Sequence, residues 1–149
     1  MTACVLDASV AAKWFLPGAT ETLAAEAAHL LEAYAAGRLR LLVPDLFWPE
    51  VGNILWKAVR QGRMSRASAG QAIAALQGRR IATAPTAPLL TEAFAIAASY
   101  DRTVYDSVYV ALAVLSDMPL VTSDERLANA LAARFPIRWL GALWRYGSR

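Results

Sequence analysis

The sequence predicts an α/β fold whose sheet is mainly parallel, has four or five strands and is covered by helices on both faces. Short apolar segments typical of strands alternate along the chain with longer segments of helical periodicity. The chain has 149 residues, of which 57% are apolar and 18% charged, which excludes a disordered protein. We therefore predict a single domain over residues 1–149.

Five segments have the apolar character of short buried strands. In chain order they are residues 3–7 (ACVLD), 39–43 (LRLLV), 79–84 (RRIATA), 119–124 (PLVTSD) and 137–140 (IRWL). The pattern is weakest in the third segment, and we expect the last one at an edge of the sheet.

Between the strands, apolar residues recur at the spacing of a helix face. Gly37 is placed to close the first helix and Ser65 to cap the third. Pro49 must lie in the first turn or at a kink, so the pattern does not define where the second helix starts. We expect residues 146–149 to form a free tail. The predicted helices cover residues 20–36, 44–59, 65–77, 89–99, 106–115 and 124–131.

Composition excludes several kinds of site. Cys4 is the only cysteine and His29 the only histidine, so neither a disulfide framework nor a zinc site of cysteines or paired histidines is possible. Any metal ion would have to be held by oxygen ligands. No uncharged apolar run reaches the roughly 18 residues of a membrane span, and the N-terminus lacks an export signal. We expect a cytoplasmic protein that does not bind membranes.

The net charge is +3, and 13 of the 15 basic residues are arginines. Arginine suits phosphate recognition, although a GC-rich coding bias also produces an Ala- and Arg-rich chain. Arg60, Arg63 and Arg66 form a local basic patch, for which a solvated helix face is slightly favoured over a phosphate contact. His29 is expected at the surface.

Four acidic residues stand where a charge is awkward for a purely structural role. Asp7 and Asp124 end predicted strands, whereas Glu50 and Asp106 lie in the first turns of helices within apolar segments. In a parallel sheet, ligands bind outside the carboxyl ends of the strands, where these helices also begin. Each acid alone would be interpreted as a helix cap or as a partner of the helix dipole.

Together, the four acids point to a bound cation. Carboxylates at close range repel one another by about 4 kcal/mol per pair at an effective dielectric constant of about 20. A divalent cation relieves this repulsion, and hard oxygen donors suit Mg²⁺ or Mn²⁺. Such ions can activate water and stabilise the leaving oxygen in phosphodiester hydrolysis.

Four motifs surround these acids in order along the chain: VLDASV, PEVGNIL, YDSVYVALA and LVTSDERL. In these motifs, and over nearly its whole length, the chain resembles PIN-domain nucleases of the VapC toxin type. The resemblance implies a three-layer α/β/α sandwich and an Mg²⁺-dependent endoribonuclease, with Mn²⁺ as a possible substitute. It also implies a homodimer that acts on RNA as the toxin of a toxin–antitoxin pair and is inhibited by a cognate VapB-like antitoxin.

The resemblance also implies roles for individual residues. Catalytic and metal-binding roles fall on Asp7, Glu50, Asp106 and Asp124, with Glu50 completing the metal site or orienting the attacking water. Ser9 and Thr122 match small hydroxyl residues that flank the first and last acids. Asp45 is interpreted as the cap of the helix after Pro44, and the remaining loop or first-turn acids excluded from the site are Asp101, Asp117 and Glu125.

Two other functions stay open. One is a metal-dependent phosphatase or phosphoryl-transfer domain with Asp7 as nucleophile. It is disfavoured because Ala8 and Ser9 follow Asp7 without a second aspartate, and no lysine lies near the end of the fourth strand. The other is a non-catalytic α/β binding module whose acids only cap helices. The complete acidic set counts against it.

Aromatic and apolar residues near the acids have two interpretations. Trp14, Phe15, Trp48 and Trp56 belong to the core by default, or else form an aromatic rim that stacks an RNA base or receives an antitoxin. Beside the acidic pocket we predict an apolar strip for an antitoxin helix that also carries a basic side chain. The strip consists of Leu16, Trp48, Val51 and Leu55.

Overall fold

The computed structural model describes residues 1–19 and 21–143, and its centre is a five-stranded parallel sheet. The strands lie in the spatial order β3-β2-β1-β4-β5. The predicted tail at 146–149 lies outside the described residues. The strands are β1 (Ala3–Leu6), β2 (Arg40–Pro44), β3 (Ala82–Ala84), β4 (Leu120–Thr122) and β5 (Ile137–Trp139).

The helices occupy the connections between the strands and make the fold an α/β sandwich. Because the crossovers are right-handed, the helices between β1 and β3 lie on one face of the sheet and the helices between β3 and β5 lie on the other. None of the helices in the described part of the chain is long and apolar enough to cross a membrane. They are α1 (Ala8–Ala12), α2 (Ala24–Ala35), α3 (Phe47–Arg60), α4 (Arg66–Gly78), α5 (Leu90–Tyr100), α6 (Val104–Ser116) and α7 (Glu125–Leu131).

The central strand β1 positions the site. It pairs with β2 on one side, where Val5 is opposite Leu42, and with β4 on the other, where Val5 is opposite Leu120. The strand order reverses between β1 and β4, because the chain runs outward to β3 and then returns to β4. This is the place where open parallel sheets bind ligands, beyond the carboxyl ends of the strands.

Several predicted helix boundaries are corrected. The helix predicted from Pro44 begins at Phe47, since Pro44 still belongs to β2. Pro49 therefore lies in the first turn, where its missing N–H is tolerated. The helix predicted from residue 106 begins at Val104, capped by Thr103, whose hydroxyl accepts a hydrogen bond from the Asp106 N–H at 3.0 Å.

Two further differences concern the first third of the chain. The helix predicted over 20–36 begins at Ala24, and the short helix α1 was not predicted. A five-residue helix is too short for a periodic pattern, but α1 places Asp7 and Ser9 at its start. The predicted roles of Gly37 and Ser65 are confirmed. Gly37, with φ of 73°, follows the end of α2, and Ser65 caps the start of α4, where its side chain accepts from the Ser68 N–H at 3.0 Å.

Candidate active site

Four acidic residues line one cavity of about 420 Å³ at the carboxyl ends of β1 and β4. The structure therefore brings together all four acids that the sequence singled out. Helices α1 and α3 provide most of the wall. The lining residues are Asp7, Ala8, Ser9, Leu46, Pro49, Glu50, Asn53, Ile54, Asp106 and Asp124.

Asp7 follows β1 and occupies the capping position of α1, but its carboxylate does not cap the helix. Instead, one carboxylate oxygen accepts hydrogen bonds from the Thr122 hydroxyl at 2.6 Å and from the Ser9 hydroxyl at 3.0 Å. Burial raises the pKa of Asp7, these two hydrogen bonds and a weaker one with the Ser9 backbone oppose the shift, and the negative charge of Asp124 adds to it. The net pKa is above the ordinary value, so the site favours a neutralised Asp7.

The hydroxyl groups of Ser9 and Thr122 also join the turns after β1 and β4. The Thr122 side chain is fully buried, and its oxygen accepts from the Asp124 N–H at 3.1 Å. The Ser9 oxygen accepts from the Ser123 N–H at 3.4 Å. Each hydroxyl thus contacts Asp7 and, through the backbone, the turn that carries Asp124.

Glu50 lies in the first turn of α3 and accepts a hydrogen bond at 2.8 Å from the hydroxyl of Tyr109. Burial raises the pKa of Glu50, the hydrogen bond from Tyr109 lowers it, and the charges of Asp7 and Asp106 raise it further. Burial, together with the charges of Asp7 and Glu50, also raises the pKa of Tyr109. Tyr109 therefore stays protonated and is a permanent donor to Glu50.

Tyr109 was not predicted as part of the site. It is only 2% exposed and lies on α6, three residues after Asp106. Residues three apart share a helix face, so this spacing was the available signal. In an apolar segment, however, a tyrosine is more simply interpreted as core.

Asp106 and Asp124 complete the acidic wall. Burial and the charges of Asp7 and Asp124 raise the pKa of Asp106, whereas a hydrogen bond with Thr103 and the charge of Arg102 lower it. Asp124 caps α7, since its carboxylate accepts from the Leu127 N–H at 3.1 Å. Of the four acids, Asp124 is thus a helix cap as well as a wall residue.

The cavity is suited to a cation. Asp7, Glu50 and Asp106 each have a pKa raised in part by another of the four carboxylates, so the four charges interact across the cavity. All of these donors are hard oxygen atoms. Within residues 1–19 and 21–143, however, no group of three or more Asp, Glu, His or Cys side chains is already arranged to hold a metal ion.

Two other predictions about charged residues are corrected. Asp45 does not cap α3, because its carboxylate accepts from both the N–H and the hydroxyl of Thr86 and ties two loops together. Arg63 is not simply solvated, since it pairs with Glu21 at 3.0 Å. Arg60 and Arg66 are exposed, as the interpretation of a solvated face requires.

The predicted apolar strip is wrong. Leu16, Val51 and Leu55 are buried, at 9%, 1% and 1% exposure. Val51 and Leu55 belong to the core face of α3, formed by positions 47, 51, 55 and 58, and Leu16 belongs to the same core. Trp48 packs against this core, and its indole N–H donates to the Thr83 hydroxyl at 3.1 Å.

Of the two interpretations of the aromatic residues, the rim is not supported, because none of the four lines the cavity, and the core is confirmed for Trp14, Phe15 and Trp48. Trp14 and Phe15 pack against the core, and the indole N–H of Trp14 donates to the Ala27 carbonyl at 2.8 Å. Trp56 differs from the other three because its side chain is 52% exposed.

Comparison with known proteins places this geometry in context. The family model for the PIN domain matches residues 4–131. Ribonuclease VapC3 of Pyrobaculum aerophilum is 32% identical over 131 residues, which are 87% of this chain and 95% of the relative.

Solved structures give the same picture of the fold. PAE2754 from Pyrobaculum aerophilum superposes with a TM-score of 0.70 at 26% identity, covering 95% of this chain and 92% of that protein. A toxin–antitoxin complex from Klebsiella pneumoniae contains a chain with a TM-score of 0.56 at 15% identity, covering 91% and 95%. The second likeness is one of fold alone.

Proposed function

The chain belongs to the PIN-domain family, and from this membership we propose that it is an endoribonuclease that acts as the toxin of a toxin–antitoxin pair. The observation that carries the proposal is the convergence of Asp7, Glu50, Asp106 and Asp124 on one cavity at the reversal of the strand order. The matched region, 4–131, contains all four. The substrate is RNA, as the name of the VapC3 relative implies.

The cofactor in this proposal is Mg²⁺, with Mn²⁺ as a substitute. Asp7, Asp106 and Asp124 would hold the ion, and their oxygen donors fit it chemically. The ion would also relieve the repulsion between the carboxylates, which adds to the effect of burial on the pKa of Asp7 and Asp106, so its binding would draw the carboxylates together. When bound, it supplies positive charge that stabilises the charge developing on a phosphodiester during hydrolysis.

Glu50 has a separate role in this mechanism. Its hydrogen bond to Tyr109 holds one carboxylate oxygen, which leaves the other free to orient a water molecule towards the scissile phosphate. Burial raises the pKa of Glu50, and the negative charges of Asp7 and Asp106 add to this effect. Glu50 is therefore more basic than an isolated glutamate, which favours its action as a proton acceptor.

The rival proposal of a pure binding module explains less of the geometry. A structural capping acid should bond the N–H groups of its own helix, as Asp124 does with Leu127. Asp7 occupies a capping position, but its two short hydrogen bonds come from the hydroxyls of Ser9 and Thr122, and Thr122 lies on another strand. This placement supports a role in the cavity.

A cleavage assay tests the proposed activity. The purified chain is incubated with a labelled, unstructured RNA with and without Mg²⁺, beside the variants Asp7→Asn and Asp106→Asn and the control Asp117→Asn. We expect Mg²⁺-dependent cleavage that falls at least about 100-fold in the two site variants and is unchanged in the control. Equal cleavage in all four proteins would contradict the assigned site.

A second measurement does not depend on activity. A ligand that binds only the folded state stabilises it by RT ln(1 + [L]/Kd), so the melting temperature rises with ligand concentration. Mg²⁺ or Mn²⁺ should therefore raise the melting temperature of the wild-type protein but not that of Asp7→Asn. Equal shifts in both proteins would place the ion elsewhere.

We also propose two protein partners and a cellular location. The antitoxin would be a VapB-like protein that places a basic side chain among the four carboxylates, and co-expression with the product of a neighbouring gene should suppress toxicity.

The second partner is another copy of this chain, because α5 and α6 expose several large apolar side chains that a homodimer would cover. These side chains are Leu90, Phe94, Val114 and Leu115. The location that we propose is the cytoplasm, where the protein would meet its RNA target.

A further inference from the structure

We propose that one face of α3 guides the RNA strand away from the cavity and provides both phosphate contacts and a base-stacking platform. This inference rests on the proposed function and specifies how the substrate is held. The residues concerned, called the α3 row below, are Asn53, Trp56, Lys57 and Arg60.

The first argument is electrostatic. Among residues 1–19 and 21–143, those that line the cavity include four acids and no lysine or arginine. RNA is a polyanion, so a strand that presents one phosphate to this cavity is repelled by the acids that are not neutralised. Phosphates on either side of the scissile bond therefore need cations that lie outside the cavity.

The α3 row supplies two cations, Lys57 and Arg60, outside the cavity. With 3.6 residues per turn, positions 50, 53, 57 and 60 fall within about 80° of one another around the helix axis. Asn53 itself lines the cavity. Lys57 and Arg60 follow at about 10 Å and 15 Å from Glu50 along the axis, so the row leads directly out of the cavity.

The side chains of the row are available for a ligand. All four are exposed, whereas the core face of the same helix is buried. Within the described residues, neither Lys57 nor Arg60 forms an ion pair, in contrast to Arg63, which is bound to Glu21. Arg102, the cation that influences Asp106, is half-buried beside the cavity and is not part of this row.

Trp56 adds an exposed aromatic face to the cations of the α3 row. Its side chain is 52% exposed, although tryptophan is usually largely buried. It lies beside Arg60 on the helix surface, next to the cations rather than among the core residues. Cations that follow the backbone, combined with an aromatic face for a base, are the features by which proteins hold single strands without reading their sequence.

The experiment measures RNA binding with cleavage disabled. Asp7→Asn is the background for all proteins, and the probe is a fluorescein-labelled, unstructured 12-nucleotide RNA followed by anisotropy at several salt concentrations. The charge variant is Lys57→Gln/Arg60→Gln. Its matched control is Arg38→Gln/Arg40→Gln, which removes two exposed arginines at the amino end of β2, on the opposite edge of the sheet.

We expect the charge variant to bind more weakly and to lose part of its salt dependence. The logarithm of the observed binding constant falls linearly with the logarithm of the salt concentration. Each lost phosphate contact makes this line less steep by about 0.7 for single strands, so the two substitutions should make it less steep by about 1.4. The control pair should keep the slope of the background protein. An unchanged slope in the charge variant would overturn the inference and leave Lys57 and Arg60 as partners of the helix dipole.

Three substitutions of Trp56 separate stacking from simple apolar contact. Trp56→Ala and Trp56→Leu should weaken RNA binding at least about fivefold, whereas Trp56→Phe, which keeps an aromatic face, should stay within about twofold. If Trp56→Leu binds RNA as well as the background protein, Trp56 is not a stacking platform and the inference fails.

The remaining outcomes are also decisive. If the variants keep RNA affinity but no longer co-purify with the antitoxin, the α3 row is a protein-docking face and the inference is wrong. If the wild-type protein cleaves RNA in an Asp7-dependent manner while all row variants bind normally, this inference alone fails. If the wild-type protein neither binds nor cleaves RNA, the proposed function fails, and this inference with it.

Discussion

Three hydroxyl groups, those of Ser9, Thr122 and Tyr109, donate hydrogen bonds to two of the four carboxylates. Burial alone would drive protons onto Asp7 and Glu50, and these donors oppose that effect by stabilising the charged forms. The hydroxyls also restrict the rotation of both side chains. The balance between burial and donation therefore sets the pH range in which the site is charged.

The first prediction concerns Tyr109→Phe. This variant removes the hydrogen bond that lowers the pKa of Glu50 and leaves burial and the charges of Asp7 and Asp106, which raise it. Glu50 should then need a higher pH to ionise, so the acidic limb of the pH–rate profile should move to higher pH, with a loss of roughly tenfold in rate at pH 7.

Tyr34→Phe is the matched control, because the Tyr34 hydroxyl donates to the Arg79 carbonyl in an exposed position. Its pH–rate profile should match that of the wild-type protein. A profile of Tyr109→Phe that also coincides with the wild type would show that Tyr109 does not control Glu50.

The second prediction concerns the stability of Asp7→Asn without metal. The pKa of Asp7 is raised in the folded state, so its contribution to stability is complete below the ordinary value of 3.8 and is lost as the pH rises through the folded pKa. The ionised form of Asp7 is therefore destabilising at any pH above the folded pKa. Asparagine removes the charge but keeps an oxygen that can accept from Ser9 and Thr122.

Asp7→Asn should accordingly be more stable than the wild-type protein at pH 7 in EDTA by about 1 kcal/mol, or roughly 2–4 °C in melting temperature. The difference should shrink as the pH falls towards 3.8. Asp7→Ala should be less stable than Asp7→Asn, because it leaves the buried Thr122 hydroxyl without its acceptor. Destabilisation of similar size in both variants would show that the charge itself supports the fold.

At the scale of elements, the site is built from two strand ends and two helix starts. Asp7 and Asp124 follow the neighbouring strands β1 and β4, whereas Glu50 and Asp106 lie in the first turns of α3 and α6. All four elements meet at one edge of the sheet. The helix α7 differs from the others because it depends on a site residue, Asp124, for its cap.

The third prediction separates these two roles of Asp124. Asparagine and serine are good capping residues, so Asp124→Asn and Asp124→Ser should fold about as stably as the wild-type protein, whereas Asp124→Ala should lose about 1 kcal/mol. All three should lose most RNA cleavage, since none supplies the carboxylate. Denaturant unfolding and the cleavage assay measure the two effects.

Ser65→Ala provides the control, because Ser65 caps α4 away from the cavity. It should lower stability by about 1 kcal/mol and leave cleavage per folded molecule unchanged. Full cleavage by Asp124→Asn would reduce Asp124 to a cap and contradict the assigned role.

At the scale of the whole molecule, the apolar side chains exposed on α5 and α6 bear on the proposed homodimer. The two helices are packed against each other. On them, Leu90, Phe94, Val114 and Leu115 are 52%, 63%, 44% and 65% exposed. Covering them would remove apolar surface from water, which favours association.

The fourth prediction tests this surface. Phe94→Glu should convert the dimer to a monomer at micromolar concentration, as measured by light scattering after size-exclusion chromatography, because a charge would be buried without a partner. Ile73→Glu, on the exposed side of α4, should remain dimeric. A monomeric wild-type protein, or a Phe94→Glu variant that still dimerises, would exclude this surface as the interface.

The sequence by itself determined the fold class, the four acids and, within residues 1–19 and 21–143, the five strands and six of the seven helices. These features are local or ordered along the chain: a buried strand is a short apolar run, a helix has a period of 3.6, and each acid ends or begins such an element. Given a parallel sheet, the position of Asp7 and Asp124 after strands already predicts a common edge.

Only the tertiary structure decided which residues contact one another. The bonds from Thr122 to Asp7 and from Tyr109 to Glu50 join residues 115 and 59 positions apart, and the bond from Thr86 to Asp45 spans 41. The core position of Val51 and Leu55, where the sequence suggested an exposed strip, likewise depends on what α3 packs against. Local periodicity shows that a helix has an apolar face, but the topology of the sheet determines what that face meets, because such contacts form between segments that are distant in the chain.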